Sequence, residues 1–160
     1  MLRIGRFVVE EKLLLHRQEV ELKCPVDGMK IVRVWIIEDN SADAFLIELA
    51  LRRTGLLVEK SVMSDGEAAI RNVRACQAGS IPPPDILILD LNLPKFDGAE
   101  ILRALRETAR FDGAGIAVFS SAEVVTGLGV KRHLQKPPNL EDFLSEVSRA
   151  VIEMLPEKEA

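Results

Sequence analysis

Short, continuously apolar runs alternate along this chain with segments of helical period, and that alternation restricts its fold more than any other feature. The runs are Ile31–Ile37, Ile86–Leu89 and Ile116–Phe119. A strand with one wet face alternates apolar and polar residues, whereas these runs are apolar at every step and need cover on both faces. They read as central strands of a parallel sheet. Leu56–Val62 and Val130–Gln135 are more mixed and read as strands nearer an edge. The 160 residues leave room for one such core. The expectation is a doubly wound α/β domain over residues 30–155, with five parallel strands and five crossovers.

The intervening segments carry helix signals. Ser41 can cap a helix whose apolar residues include Ala42, Phe45, Leu46 and Leu49, and Gly55 stands where a left-handed residue ends it. A second helix, from about Gly66 to Ala78, sets Ala69, Ile70, Val73 and Cys76 on one side, so Cys76 reads as a small core residue. GSIPPP then stops the helix and forces an extended entry into the next strand. A third helix carries Ile101, Leu102 and Leu105. The last has the clearest stripe, Leu140, Phe143, Leu144, Val147, Ala150, Val151 and Met154, behind Asn139 as N-cap. Between Ser120 and Val130 there is room for only one or two helical turns, so the fourth helix is expected to be short.

Charge and composition exclude several functions. The net charge of −4 lacks the basic footprint that phosphate backbones demand, and 4% aromatic residues leave little to stack bases on. Cys24 and Cys76 have neither CxxC spacing nor a His pair nearby, which argues against a disulfide framework or a zinc site. No apolar run reaches the length of a membrane span. No nucleic acid and no membrane are therefore expected as partners, and a cytoplasmic location fits best. Residues 1–28 stand apart, with five Lys/Arg balanced by five Asp/Glu. They read as an extension over 1–29 that is disordered, loosely packed as a strand pair, or upstream of a true start at Met29; residues 156–160 read as a tail.

In an open α/β sheet the site lies beyond the carboxyl ends of the strands. Here the first strand ends in Glu38–Asp39–Asn40, the third in Asp90, the fourth in Ser120–Ser121, and the fifth runs into Lys136–Pro137. Any one of these acids could be a helix cap or a solvated turn. Four strand ends carrying acids, hydroxyls and a lysine are hard to obtain from capping alone. Three carboxylates in one pocket repel unless a cation neutralises them, and an oxygen-rich site with few protein ligands suits Mg2+.

The segments IIEDN, LILDLNLPKFDG, AVFSSAE and HLQKPP, in this order and spacing, resemble the signature segments of receiver domains of two-component response regulators. The resemblance spans about residues 31–155 and is greatest toward single-domain regulators associated with phytochrome-type histidine kinases. It implies a flavodoxin-like sheet in the order 2-1-3-4-5. It further implies that Asp90 accepts a phosphoryl group, that Asp39, Asp90 and the backbone carbonyl of Asn92 ligate Mg2+, and that Glu38 acts mainly through bound water. Lys136 and Ser120 would engage the phosphoryl oxygens. Pro94 and Gly98 would shape the loop over the site, while Ser121 and His133 fall in the switching region. The Lys136–Pro137 bond matches a position that is usually cis. Implied partners are a sensor histidine kinase or histidine phosphotransfer protein and a downstream protein effector, with homodimerisation open.

Three departures stand out. Glu38 replaces the Asp often found in the acid pair, which leaves the implied metal binding intact. His133 replaces the usual Tyr or Phe, and reads more simply as a partly exposed edge-strand residue. Only 15 residues separate Ser120 from Lys136, which puts output through that face in question. The reading is a signalling switch and not a turnover enzyme. The alternatives are a degenerate receiver acting as a scaffold, and a haloacid-dehalogenase-like phosphatase; the latter wants an acid where this chain has Asn92.

Overall fold

The computed structural model describes residues 30–94, 96–119 and 130–155. Five strands, β1 (Val32–Ile37), β2 (Val58–Met63), β3 (Ile86–Asp90), β4 (Gly115–Phe119) and β5 (Arg132–Leu134), form one parallel sheet in the order β2-β1-β3-β4-β5. Four helices connect or follow them: α1 (Ser41–Arg53), α2 (Gly66–Gln77), α3 (Gly98–Arg106) and α4 (Leu140–Met154), with a 3-10 turn at Ala109–Phe111. This is the doubly wound, flavodoxin-like order expected from the sequence. The shortened helix expected between Ser120 and Val130 lies outside the described residues, as do the 1–28 leader and the 156–160 tail.

Parity along the central strands builds two cores. Val34 and Ile36 of β1 and Ile86 and Ile88 of β3 face α1 and α4, where Ile47, Leu51, Phe143, Leu144 and Val147 cover them. Trp35, Ile37, Leu87 and Leu89 face the other way, onto Val73, Cys76, Ile101 and Leu105. All of the β3 and β4 residues are buried, as the apolar runs Ile86–Leu89 and Ile116–Phe119 require. Each such aliphatic side chain contributes about 1.5–3 kcal/mol by leaving water, which makes these two strands the fixed frame on which the loop ends are hung. β2, by contrast, exposes Glu59, Lys60, Ser61 and Val62, in keeping with its place at the sheet edge.

Local details correct the sequence reading in three places. Asn40, and not Ser41, caps α1, its side chain accepting from the Ala42 and Asp43 N–H groups at 2.9 and 3.3 Å. The buried face of α1 is Ala44, Ile47, Ala50 and Leu51, while Phe45 is 58% exposed. Residues 42 to 51 are apolar on nearly every side, so periodicity alone could not choose the face. Leu140 also points to solvent, since it is the first residue of α4 and the stripe begins at Phe143. Asn139 caps α4 as expected, with the Asp142 N–H at 2.8 Å, and Gly55 adopts the left-handed conformation at φ 70°.

Candidate functional site

Strand parity assembles the site. Continuing β1 beyond Ile36 by two residues puts Glu38 on the α1 side of the sheet, and continuing β3 beyond Ile88 puts Asp90 on that same side. The Ile37–Leu89 pairing of the parallel ladder then makes the two carboxylates neighbours. Leu134 of β5 belongs to the same core face, so Lys136, two residues on, enters from the far edge. Glu38 and Asp90 are the polar residues buried within this frame, at 2% and 5% exposure.

Lys136 Nζ donates to Asp43 Oδ2 and Asp90 Oδ2 at 2.7 Å and to Glu38 Oε2 at 2.9 Å. The second oxygens of Glu38 and Asp90 are also held: the Asn40 N–H donates to Glu38 Oε1 at 3.0 Å and the Asn92 N–H to Asp90 Oδ1 at 2.8 Å. Burial pushes the Glu38 carboxyl up from its ordinary value, assisted by the charge of Asp90 and opposed by the bonds from Lys136 and Asn40. Burial also works against the charge on Lys136. The hydrogen bonds it donates to Asp43, Asp90 and Glu38 outweigh it and hold the ammonium above the ordinary lysine range.

Glu38, Asp39 and Asp90 each offer a carboxylate oxygen, and these oxygens lie within 4.8 Å of one another. Three hard, anionic donors converging from two strand ends, one of them exposed to solvent, form a set that fits Mg2+. Asp43 was not among the residues expected here. Four residues after Asp39 and on the first turn of α1, it has the ordinary appearance of an acid that complements a helix N-terminus; its reach to Lys136 depends on tertiary placement.

The loop after β3 is fitted closely. A Cβ on Gly98 would lie 2.7 Å from the Leu91 Cα, so the start of α3 can approach the residue next to Asp90 only as glycine. Gly66 likewise leaves room for Phe96, whose Cβ would be 2.3 Å from an added Cβ. Pro94 is exposed on the same loop. His133 is half-buried in β5 opposite Val118, and its Nε2 has no partner among the described residues. Ser120 and Ser121 lie outside the described residues.

One expectation is overturned. Among the described residues no peptide bond is cis, so Lys136–Pro137 is trans. The trans form is the lower in energy for an X-Pro bond, by about 0.5–1 kcal/mol, and the long lysine stem reaches Asp90 from it.

The response regulator receiver domain model matches residues 34–148. The chain belongs to this family. Among its relatives it is 31% identical over 116 residues to the probable methanogenesis regulatory protein FilR2 of Methanothrix harundinacea, covering 69% of this chain and 75% of that protein. Response regulator Rcp1 of Synechocystis sp. is 29% identical over 123 residues, covering 71% and 82%. The Mn(2+)-bound form of Rcp1 superposes with a TM-score of 0.69 at 26% identity, covering 81% of this chain and 97% of that one. The phosphorylated cyanobacterial phytochrome response regulator RcpA gives 0.70 at 26% identity, covering 82% and 98%. The likeness to phytochrome-associated regulators expected from the motifs is thus borne out in both sequence and structure. Among the described residues of this receiver, no helix is long and apolar enough to cross a membrane.

Proposed function

We propose that this receiver domain accepts a phosphoryl group on Asp90 from a histidine kinase or histidine phosphotransfer protein and thereby switches its contact with a downstream protein. The observation that carries the reading is Asp90, buried at a strand end, in contact with Lys136 and clustered with the acid pair Glu38–Asp39. In the transfer a carboxylate oxygen of Asp90 attacks phosphorus, the bond from phosphorus to the donor imidazole breaks, and the imidazole leaves with the electron pair. An acyl phosphate remains on Asp90.

Asp39, Asp90 and the Asn92 carbonyl would hold Mg2+, with Glu38 acting through water; the ion supplies countercharge to the phosphoryl oxygens. Lys136 Nζ, already on Asp90, is placed to follow an oxygen of the attached group. The hydroxyl of Ser120 would take another phosphoryl oxygen and carry the change into the following loop. His133 and Ser121 would lie along that route. Asn92 has no acidic proton to give a leaving group, which disfavours a phosphatase of the haloacid-dehalogenase type. The retained acids and lysine disfavour a phosphorylation-independent scaffold.

Incubation with Mg2+ and acetyl phosphate, followed by intact-mass analysis, tests the reading. Wild-type protein should gain one phosphoryl group, and Asp90→Ala or added chelator should prevent the gain. Multiple-turnover hydrolysis of phosphoesters would favour the phosphatase, and no modification at all would favour the scaffold.

A further inference from the structure

The ammonium of Lys136 has three N–H bonds, and each meets a different carboxylate. Two of these, Glu38 and Asp90, also belong to the cluster that fits a divalent cation, and the third, Asp43, does not. Lysine and cation therefore draw on the same two carboxylates. A lysine held by Glu38 and Asp90 alone would compete with the cation for them. A lysine with no other partner, once displaced, would swing into water, which its side chain already meets at 28% exposure. The backbone of Asp43 is held independently of both: it sits on the first turn of α1, where the Asn40 side chain accepts from its N–H.

We infer that Asp43 is a positioning residue for Lys136, anchoring its ammonium so that the lysine releases Glu38 and Asp90 to a cation and a phosphoryl group without leaving the pocket. The inference rests on the proposed function. It assigns Asp43 no contact with the cation and no part in bond making. Its effect passes entirely through Lys136, and this separates it from a carboxylate that merely adds negative charge to the neighbourhood.

Titration calorimetry with Mg2+ on wild type, Asp43→Asn, Lys136→Met and the double variant makes the distinction, with circular dichroism to establish that each is folded. The account expects Asp43→Asn to weaken Mg2+ binding about threefold or more when Lys136 is present and less than about twofold when it is Met, a coupling of the size found between contacting charged residues. Asp43→Glu, which keeps the charge at the helix start, should recover part of the loss. Equal weakening in both backgrounds would show a general charge effect and overturn the inference, and so would no weakening in either. If wild type is phosphorylated on Asp90 but the coupling is absent, only the role of Asp43 falls. A wild type that neither binds Mg2+ nor takes a phosphoryl group overturns the proposed function and this inference together.

Discussion

Asp90 Oδ2 and Lys136 Nζ lie 2.7 Å apart across 46 positions of chain, and they do so with a trans bond after the lysine. What brings them together is the order of the sheet. β3 occupies its centre and β5 its edge; Asp90 is the last residue of β3 and Lys136 lies two residues beyond the end of β5, and both fall on the α1 side. The local geometry of the Lys-Pro pair adds nothing that the lysine stem cannot reach by itself.

Replacing that lysine leaves buried negative charge without its partner. The Glu38 and Asp90 side chains are 1% and 5% exposed, and stranding such groups costs about 3–5 kcal/mol in a dry interior. Because the lysine is itself partly wet, about 1–3 kcal/mol is expected for Lys136→Met. Urea unfolding at neutral pH measures it, and added Mg2+ should recover more stability in the variant than in wild type. An unchanged midpoint would contradict the pairing.

The pH dependence of that loss has a definite sign. Burial raises the Glu38 pKa, so the folded protein takes up the proton before the unfolded chain does, and stability rises as pH falls through the folded value. Without Lys136 the raise should be larger. The gap between Lys136→Met and wild type should therefore narrow as pH is lowered from about 7 toward about 5, close above the carboxylate range. The Lys136 contribution is present below its ordinary value of 10.5 and is lost only as pH rises through its elevated folded value, so between about pH 7 and 9 it should stay constant. A gap that widens on acidification would contradict the assignment.

The loop beside Asp90 gives a steric test. Gly98→Ala forces a methyl group toward the Leu91 backbone and should cost about 1–3 kcal/mol as overpacking, with slower modification by acetyl phosphate because Leu91 adjoins the acceptor. Gly113→Ala, where an added Cβ meets nothing within 4 Å, should stay within about 0.5 kcal/mol of wild type. Thermal unfolding of the two variants separates them, and equal effects would contradict the close approach.

Cys76 offers a chemical probe of the second core. It is fully buried, and desolvation pushes its thiol up. In a Cys24→Ser background it should resist alkylation by iodoacetamide at mildly alkaline pH and react once denaturant is added. Reaction at the rate of a free thiol would contradict its burial on the inner face of α2.

Much of this was legible from the sequence because the central strands are apolar on both faces and end in chemically distinctive residues. The buried stretch of β3, ILILD, shows both properties in five residues. What was not legible was lost to degeneracy or distance. On α1, apolar residues lie on nearly every side, so the sequence pattern does not say which of them are buried, and Phe45 is exposed while Leu46 and Leu49 pack against the core. Ser41 and Asn40 are both competent caps, and only the backbone decides between them. Asp43 looks locally like a helix-start acid, while the partner that gives it another role lies 93 positions away.

The central claim is that Asp90 is the phosphoacceptor, and trapping the acyl phosphate tests it most directly. Protein treated with Mg2+ and acetyl phosphate is reduced with borohydride, which converts a phosphorylated aspartate to homoserine, and is then mapped by peptide mass spectrometry. The account predicts homoserine at position 90 alone. Homoserine at position 39 or 43 instead, or none at any position in wild type, would contradict it.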